Sequence, residues 1–170
     1  MSDIVSIKFD EMRALLLGFV LFSNVCFAQK ALLDSVRKNI RQVFQYESVC
    51  FEYYESLESV DVTQNNTLKA YKGAVELGMA RHHPNPFKKM GFFSDGKDNL
   101  DEAVNADYEN IELRFLRLTI QTYLPSFLGY SGDIESDKDF VLSNLKKTNN
   151  PTFQSKVKGF IAQAEENGKL

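Results

Sequence analysis

The chain has no tryptophan, two cysteines, two histidines and four prolines in 170 residues. Two cysteines cannot staple a disulfide scaffold of the kind small secreted domains rely on. The histidines are adjacent, at His82-His83, so they offer no spaced pair for a zinc ion, and no CxxC supplies sulfur ligands. Positive charge is not in excess: 20 Lys and Arg stand against 23 Asp and Glu, giving a net charge of −3 and a pI near 5.5. That excludes the basic footprint of a dedicated nucleic-acid binder. The one unbroken apolar run, Ala14 to Phe22, falls well short of the roughly 20 residues a membrane-spanning helix needs. HExxH, GxSxG and P-loop motifs are missing. Gly129-Tyr130-Ser131-Gly132 looks like a nucleophile elbow only superficially, because the spacing is wrong and no strand precedes it. No catalytic residue, cofactor or metal is expected.

What is present is the composition of one folded domain, with 44% apolar and 25% charged residues. The first segment reads as a secretory signal peptide: Arg13, the short apolar run, then Ser23 to Ala28 ending in a small residue. The expected cut follows Ala28, so residues 1–28 are a leader and 29–170 a single domain, exported to the periplasm or outside the cell. Asp3, Asp10 and Glu11 are the wrong charge for the start of such a leader, which makes Met12 the expected start and 1–11 upstream of it. Cys50 is then the only cysteine of the mature chain, and a small buried apolar role is expected for it.

The rest reads as all-α, six to seven helices stacked as antiparallel hairpins. No stretch alternates as a strand would, whereas apolar residues recur at helical spacing. Val36, Ile40, Val43 and Phe44 share one face, and Cys50, Tyr54 and Leu57 continue it or open a second helix. Residues 60–66 are a polar connector. Thr67 to Arg81 places Leu68, Tyr71, Val75 and Met79 on one face, interrupted by Gly73 and Gly78, a sign of close packing or local weakness. A break marked by prolines follows, in which Asn85-Pro86 is a cap and first-turn pair. A long helix is expected over Phe92 to Asp107, with Phe93, Leu100, Ala103 and Val104 inward. Asn110 caps a helix over Ile111 to Tyr123 that is apolar almost all round, which puts it in the middle of the array. After the loop Leu124 to Gly132, a helix over Ile134 to Lys147 presents Ile134, Val141, Leu142 and Leu145. Asn150-Pro151 opens the last helix, with Phe153, Val157, Phe160, Ile161 and Ala164 inward.

Gly96-x3-Leu100-x2-Ala103-x4-Tyr108, followed by Glu109-Asn110, resembles the second helix and turn of a tetratricopeptide repeat, with Tyr108 where that family usually has proline. Leu68, Tyr71 and Val75 suit the repeat's first helix. The resemblance implies small residues that let paired helices approach closely, and a protein-binding role. Ile111 to Tyr130, with its Pro-Ser-Phe-Leu-Gly-Tyr loop, is also similar to uncharacterised secreted helical proteins of Bacteroidetes-type bacteria, which implies a location and no activity.

The candidate binding residues are Arg114, Arg117, Gln121, Phe87, Pro125, Phe127 and Tyr130. Arg114, Arg117 and Gln121 share one stripe. Arginine forks clamp carboxylates, so the stripe reads either as an anion or peptide-carboxylate clamp or as pairing with acids of a neighbouring helix such as Asp98, Glu102 or Glu135. Glu112 reads as a buried acid or as a first-turn carboxylate favoured by the helix dipole. Asp133, Glu135, Asp137 and Asp139 alternate like a calcium loop, but Lys138 replaces the needed glycine and Asn144 the bidentate glutamate. The segments His82 to Met90 and Leu124 to Tyr130 are expected to meet at one end of the array. Both are unusually apolar, so they either lid the core or form an aromatic-rich binding surface. The expected function is a non-catalytic interaction module whose partner is another envelope or secreted protein or peptide. The alternative is a small periplasmic enzyme or ligand-binding protein using Arg114 and Arg117.

Overall fold

The computed structural model describes residues 27–170. Of the expected leader, residues 1–26 lie outside the described residues. The chain divides between Asn39 and Ile40 into two units. In the first, residues 27–39 are the opening turns of helix α1 (27–45). There Leu33 and Val36 are buried, and Asp34 pairs with Lys30 at 2.9 Å and Arg37 at 3.0 Å on the exposed side.

The second unit contains the end of α1, then α2 (Glu47–Glu58), α3 (Asn66–His82), α4 (Pro86–Ala106), α5 (Ile111–Tyr123), α6 (Ile134–Asn144) and α7 (Pro151–Glu166). Short 3-10 turns cover Ser126–Leu128 and Leu145–Lys147. The fold is all-α, with no strand among the described residues.

Asparagine caps set most of the helix starts. The Asn65 carboxamide accepts from Leu68 N at 2.9 Å, Asn110 from Glu112 N at 3.0 Å and Asn150 from Phe153 N at 3.0 Å. Asn85 accepts from both Phe87 N and Lys88 N, and Pro86 occupies the first turn. This cap moves the start of α4 from the expected Phe92 back to Pro86, so the α3–α4 connection is a short turn rather than a long apolar loop. The α1–α2 break falls at Tyr46, whose extended backbone (φ −127°, ψ 120°) interrupts an otherwise continuous ladder. The last turn of the α6 segment tightens to 3-10 from Leu145, and Leu142, expected inward, is 44% exposed.

Helices adjacent in sequence pack together: α2 on α3, α3 on α4, α5 on α6. Helix α5 also touches α3, α4 and α7, the central position its all-round apolarity predicts. The α3–α4 crossing is backbone on backbone. A Cβ on Gly73 would lie 2.6 Å from the Gly96 carbonyl oxygen, and one on Gly96 would lie 2.7 Å from that of Gly73. Gly78 likewise makes room for Cys50 and Val43, each 2.9 Å from where its Cβ would stand. Around α5, Phe115, Leu118, Val141, Leu145, Val157 and Ile161 form a core cluster. Phe115 meets Phe153 and Phe160 edge to face, with ring centroids 5.6 and 5.4 Å apart. Burying each such aliphatic or aromatic side chain stabilises by roughly 1.5–3 kcal/mol.

Candidate functional site

Helices α5 and α6 face each other through charge. Arg114, Arg117 and Gln121 lie at i, i+3 and i+7 on α5. Asp133 and Asp137, four residues apart at the start of α6, lie on the side that meets them. Arg117 is 4% exposed and Asp137 fully buried. They form a bidentate pair, Nε to Oδ2 at 2.7 Å and Nη2 to Oδ1 at 3.0 Å. The remaining reach of Arg117 goes to Asp101 of α4 at 3.3 Å and Asp133 at 3.4 Å. Arg114 adds a 3.0 Å contact to Asp137 Oδ1, and its guanidinium carbon lies 4.6 Å from the centre of the Phe140 ring. Gln121 donates to Asp133 at 3.1 Å. Asp133 stands at the N-cap of α6 but makes no cap hydrogen bond; its carboxylate is turned to Arg117 and Gln121 instead. The stripe of α5 therefore does meet acids of neighbouring elements, though they are Asp101, Asp133 and Asp137 rather than Asp98, Glu102 or Glu135.

Burial works against the charge of Arg117, but the hydrogen bond and charge of Asp137, followed by Asp133 and Asp101, outweigh it and raise its pKa. Tyr130 is 5% exposed and donates to Asp101 Oδ1 at 2.7 Å. Burial first, and Asp101 second, push its hydroxyl well above the ordinary tyrosine range. Its ring meets Phe93 edge to face at 6.2 Å, and Lys97 Nζ lies 5.5 Å from its centre. Two atoms of this cluster, Arg114 Nε and Gln121 Oε1, are buried with no hydrogen-bond partner among the described residues. Each such atom weakens what the cluster contributes to stability.

The loop between α5 and α6 is thus pinned from Tyr130 to Asp133. Its middle is a 3-10 turn closed by Gly129 in the left-handed region (φ 64°). On that turn Phe127 is 84% exposed, and Pro125 is exposed beside it. No residue from Leu124 to Gly132 is charged. Phe87, at the start of α4, is 87% exposed. Neither ring lids the core; the aromatics that pack inward are Tyr130 and the half-buried Phe93, which lies just beyond the first segment.

Other singled-out residues are spoken for. Cys50 is buried, its thiol 3.6 Å from the Val75 carbonyl oxygen, and burial followed by the charge of Glu47 pushes its pKa up to about 12, which makes it inert. Glu112 accepts from the Tyr71 hydroxyl at 2.9 Å. His82 Nε2 lies 2.9 Å from the Val43 carbonyl oxygen, and His83 accepts from Asn85 N at 3.0 Å. One buried acid carries no sequence signature of its own. Glu76 is 5% exposed among the apolar residues of α3 and accepts from Asn99 at 2.7 Å. Its spacing matches the apolar face, which is the only sign of its burial. A shallow surface cleft of about 300 Å³ is lined by Glu109, Ile111, Phe140, Asn144, Lys147 and Thr148. Among the described residues no group of His, Cys, Asp or Glu is placed to hold a metal ion, and no helix is long and apolar enough to cross a membrane. No protein-family model, curated protein or solved structure matches the chain.

Proposed function

We propose that this chain is an exported, non-catalytic interaction module built on tetratricopeptide-like helix hairpins. Its partner is another envelope or secreted protein, bound through the loop 124–132. The observation that carries the reading is Phe127, 84% exposed on an uncharged turn whose far end is fastened by Tyr130 to Asp101 and by Asp133 to Arg117. A large aromatic ring held out on a fixed turn loses little conformational freedom on binding, which is what makes aromatic anchors effective. The charged groups that would serve a small ligand are instead engaged with one another. Arg117 meets carboxylates with all its nitrogens, an arrangement that favours the interaction module over the small-ligand reading at Arg114 and Arg117.

The test is a crosslinking capture from the native envelope, comparing wild type with Phe127→Ser. The ring is exposed, so the variant folds normally by circular dichroism. A partner retained by wild type and lost from Phe127→Ser is expected. Capture that is unchanged by the substitution would move the binding surface elsewhere.

A further inference from the structure

The turn joining α3 to α4 has a composition unlike the chain around it. From Leu77 to Ser94 the sequence carries Arg81, Lys88 and Lys89 and no acid, although the chain holds 23 Asp and Glu and a net charge of −3. Several lysines elsewhere are matched, Lys69 with Glu102, Lys72 with Glu58, Lys97 with Asp101 and Lys138 with Glu165. Lys146, Lys147, Lys156 and Lys158 lie in a second acid-free stretch, but no aromatic ring there is as exposed as Phe87. Arg81, Lys88 and Lys89 form no ion pair among the described residues. Lys89 Nζ instead donates to the Arg81 carbonyl at 3.2 Å, folding its stem back over the end of α3. Helix α4 starts here with no acid in its first turn, so its positive end adds to the same field. Beside these charges stand Phe87, 87% exposed, and Met90, 63% exposed, three residues apart and therefore on one side of the helix.

Exposure alone does not separate this turn from that of Phe127; its charge does. A bilayer interface accepts a protruding apolar side chain at the headgroup–acyl boundary while flanking cations stay among anionic headgroups, and cations flank Phe87 but not Phe127. We infer that the α3–α4 turn is a peripheral docking site for an anionic lipid surface, with Phe87 and Met90 inserted and Arg81, Lys88 and Lys89 on the headgroups. Each cation strengthens such binding by roughly fivefold, and the phenyl ring by about tenfold or more. An acidic chain is otherwise repelled by such a surface, so the turn also fixes which end of the molecule meets the lipid. The inference does not rest on the Phe127 reading and stands on different residues.

The chain has no tryptophan, so Phe87→Trp in the full chain is a sole reporter at the site, and Phe127→Trp is its counterpart. Each is mixed with phosphatidylcholine vesicles carrying brominated acyl chains, with and without phosphatidylglycerol. The expected result is a blue shift and quenching of Phe87→Trp only when phosphatidylglycerol is present, with Phe127→Trp unquenched. Adding Lys88→Glu and Lys89→Glu to the Phe87→Trp chain should weaken vesicle binding at least ~10-fold. Acids are favoured in the first turn of a helix, so that variant keeps its fold. The apolar run Ala14 to Phe22 is common to every variant and cannot produce these differences. No quenching of Phe87→Trp, quenching without phosphatidylglycerol, or equal quenching of both reporters would overturn the site. So would a response of Phe87→Trp to polyglutamate but not to vesicles, which would assign the turn to an acidic protein instead.

Discussion

Removing the carboxylate of Asp137 would strip two guanidinium groups, Arg114 and Arg117, of their shared acceptor. A buried charge left uncompensated is costly, and Asp137→Ala is expected to destabilise the fold by about 3–5 kcal/mol. Arg117→Met together with Asp137→Leu should cost less than the two single changes summed, by about 1 kcal/mol or more in urea denaturation. Glu76 gives a pH dependence of definite sign. Burial, only partly offset by the Asn99 hydrogen bond and by Lys72, raises its pKa above the ordinary 4.5. The folded chain therefore keeps a proton that the unfolded chain releases, and stability falls as pH rises from 4.5 through the raised value. Glu76→Gln can still accept from Asn99. It should be more stable than wild type at neutral pH, with the advantage vanishing below pH 4.5; thermal melts across that range check it. At this scale the sequence shows which residues share a stripe but not what the stripe meets. Arg114, Arg117 and Gln121 are visible as a set, whereas the choice of Asp101, Asp133 and Asp137 over other acids depends on how α4, α5 and α6 are placed.

Helix existence was legible nearly throughout, because asparagine caps and apolar periodicity agree. Asn110 and Asn150-Pro151 mark the starts of α5 and α7 where the structure has them. The misses have local causes. Asn85-Pro86 outweighs the apolar look of the residues after it, so α4 begins at Pro86 rather than Phe92. The α1–α2 break rests on the backbone of Tyr46 alone, with no proline or glycine to announce it. Gly73 and Gly96 are visible as small residues, but only the structure shows that they face each other. Gly73→Ala should cost about 1–3 kcal/mol or more, because the clash is with backbone that no rotamer change relieves. Gly159 in α7 has nothing within 4 Å of its missing Cβ, so Gly159→Ala should instead stabilise by about 0.5–1 kcal/mol. Chemical denaturation of the pair separates close packing from ordinary helix propensity.

Across the whole molecule, charge and apolar surface are sorted in a way that composition alone conceals. Paired ions lie between α4, α5 and α6, while uncharged or basic turns hold out the most exposed aromatic rings among the described residues, Phe127 and Phe87. The apolar character of both turns is readable in the sequence. Whether those rings cover the core or face solvent is not, since each turn also holds an inward aromatic, Tyr130 in one and Phe93 just past the other. On the proposed reading, the fastened α5–α6 loop meets a partner through Phe127. Replacing Phe127 with the photoreactive p-benzoylphenylalanine, and the exposed Lys158 of α7 likewise, then irradiating cells that make the protein, tests it most directly. A discrete crosslinked species from position 127 and none from 158 is expected; no adduct at 127, or the same adducts from both positions, would overturn the reading.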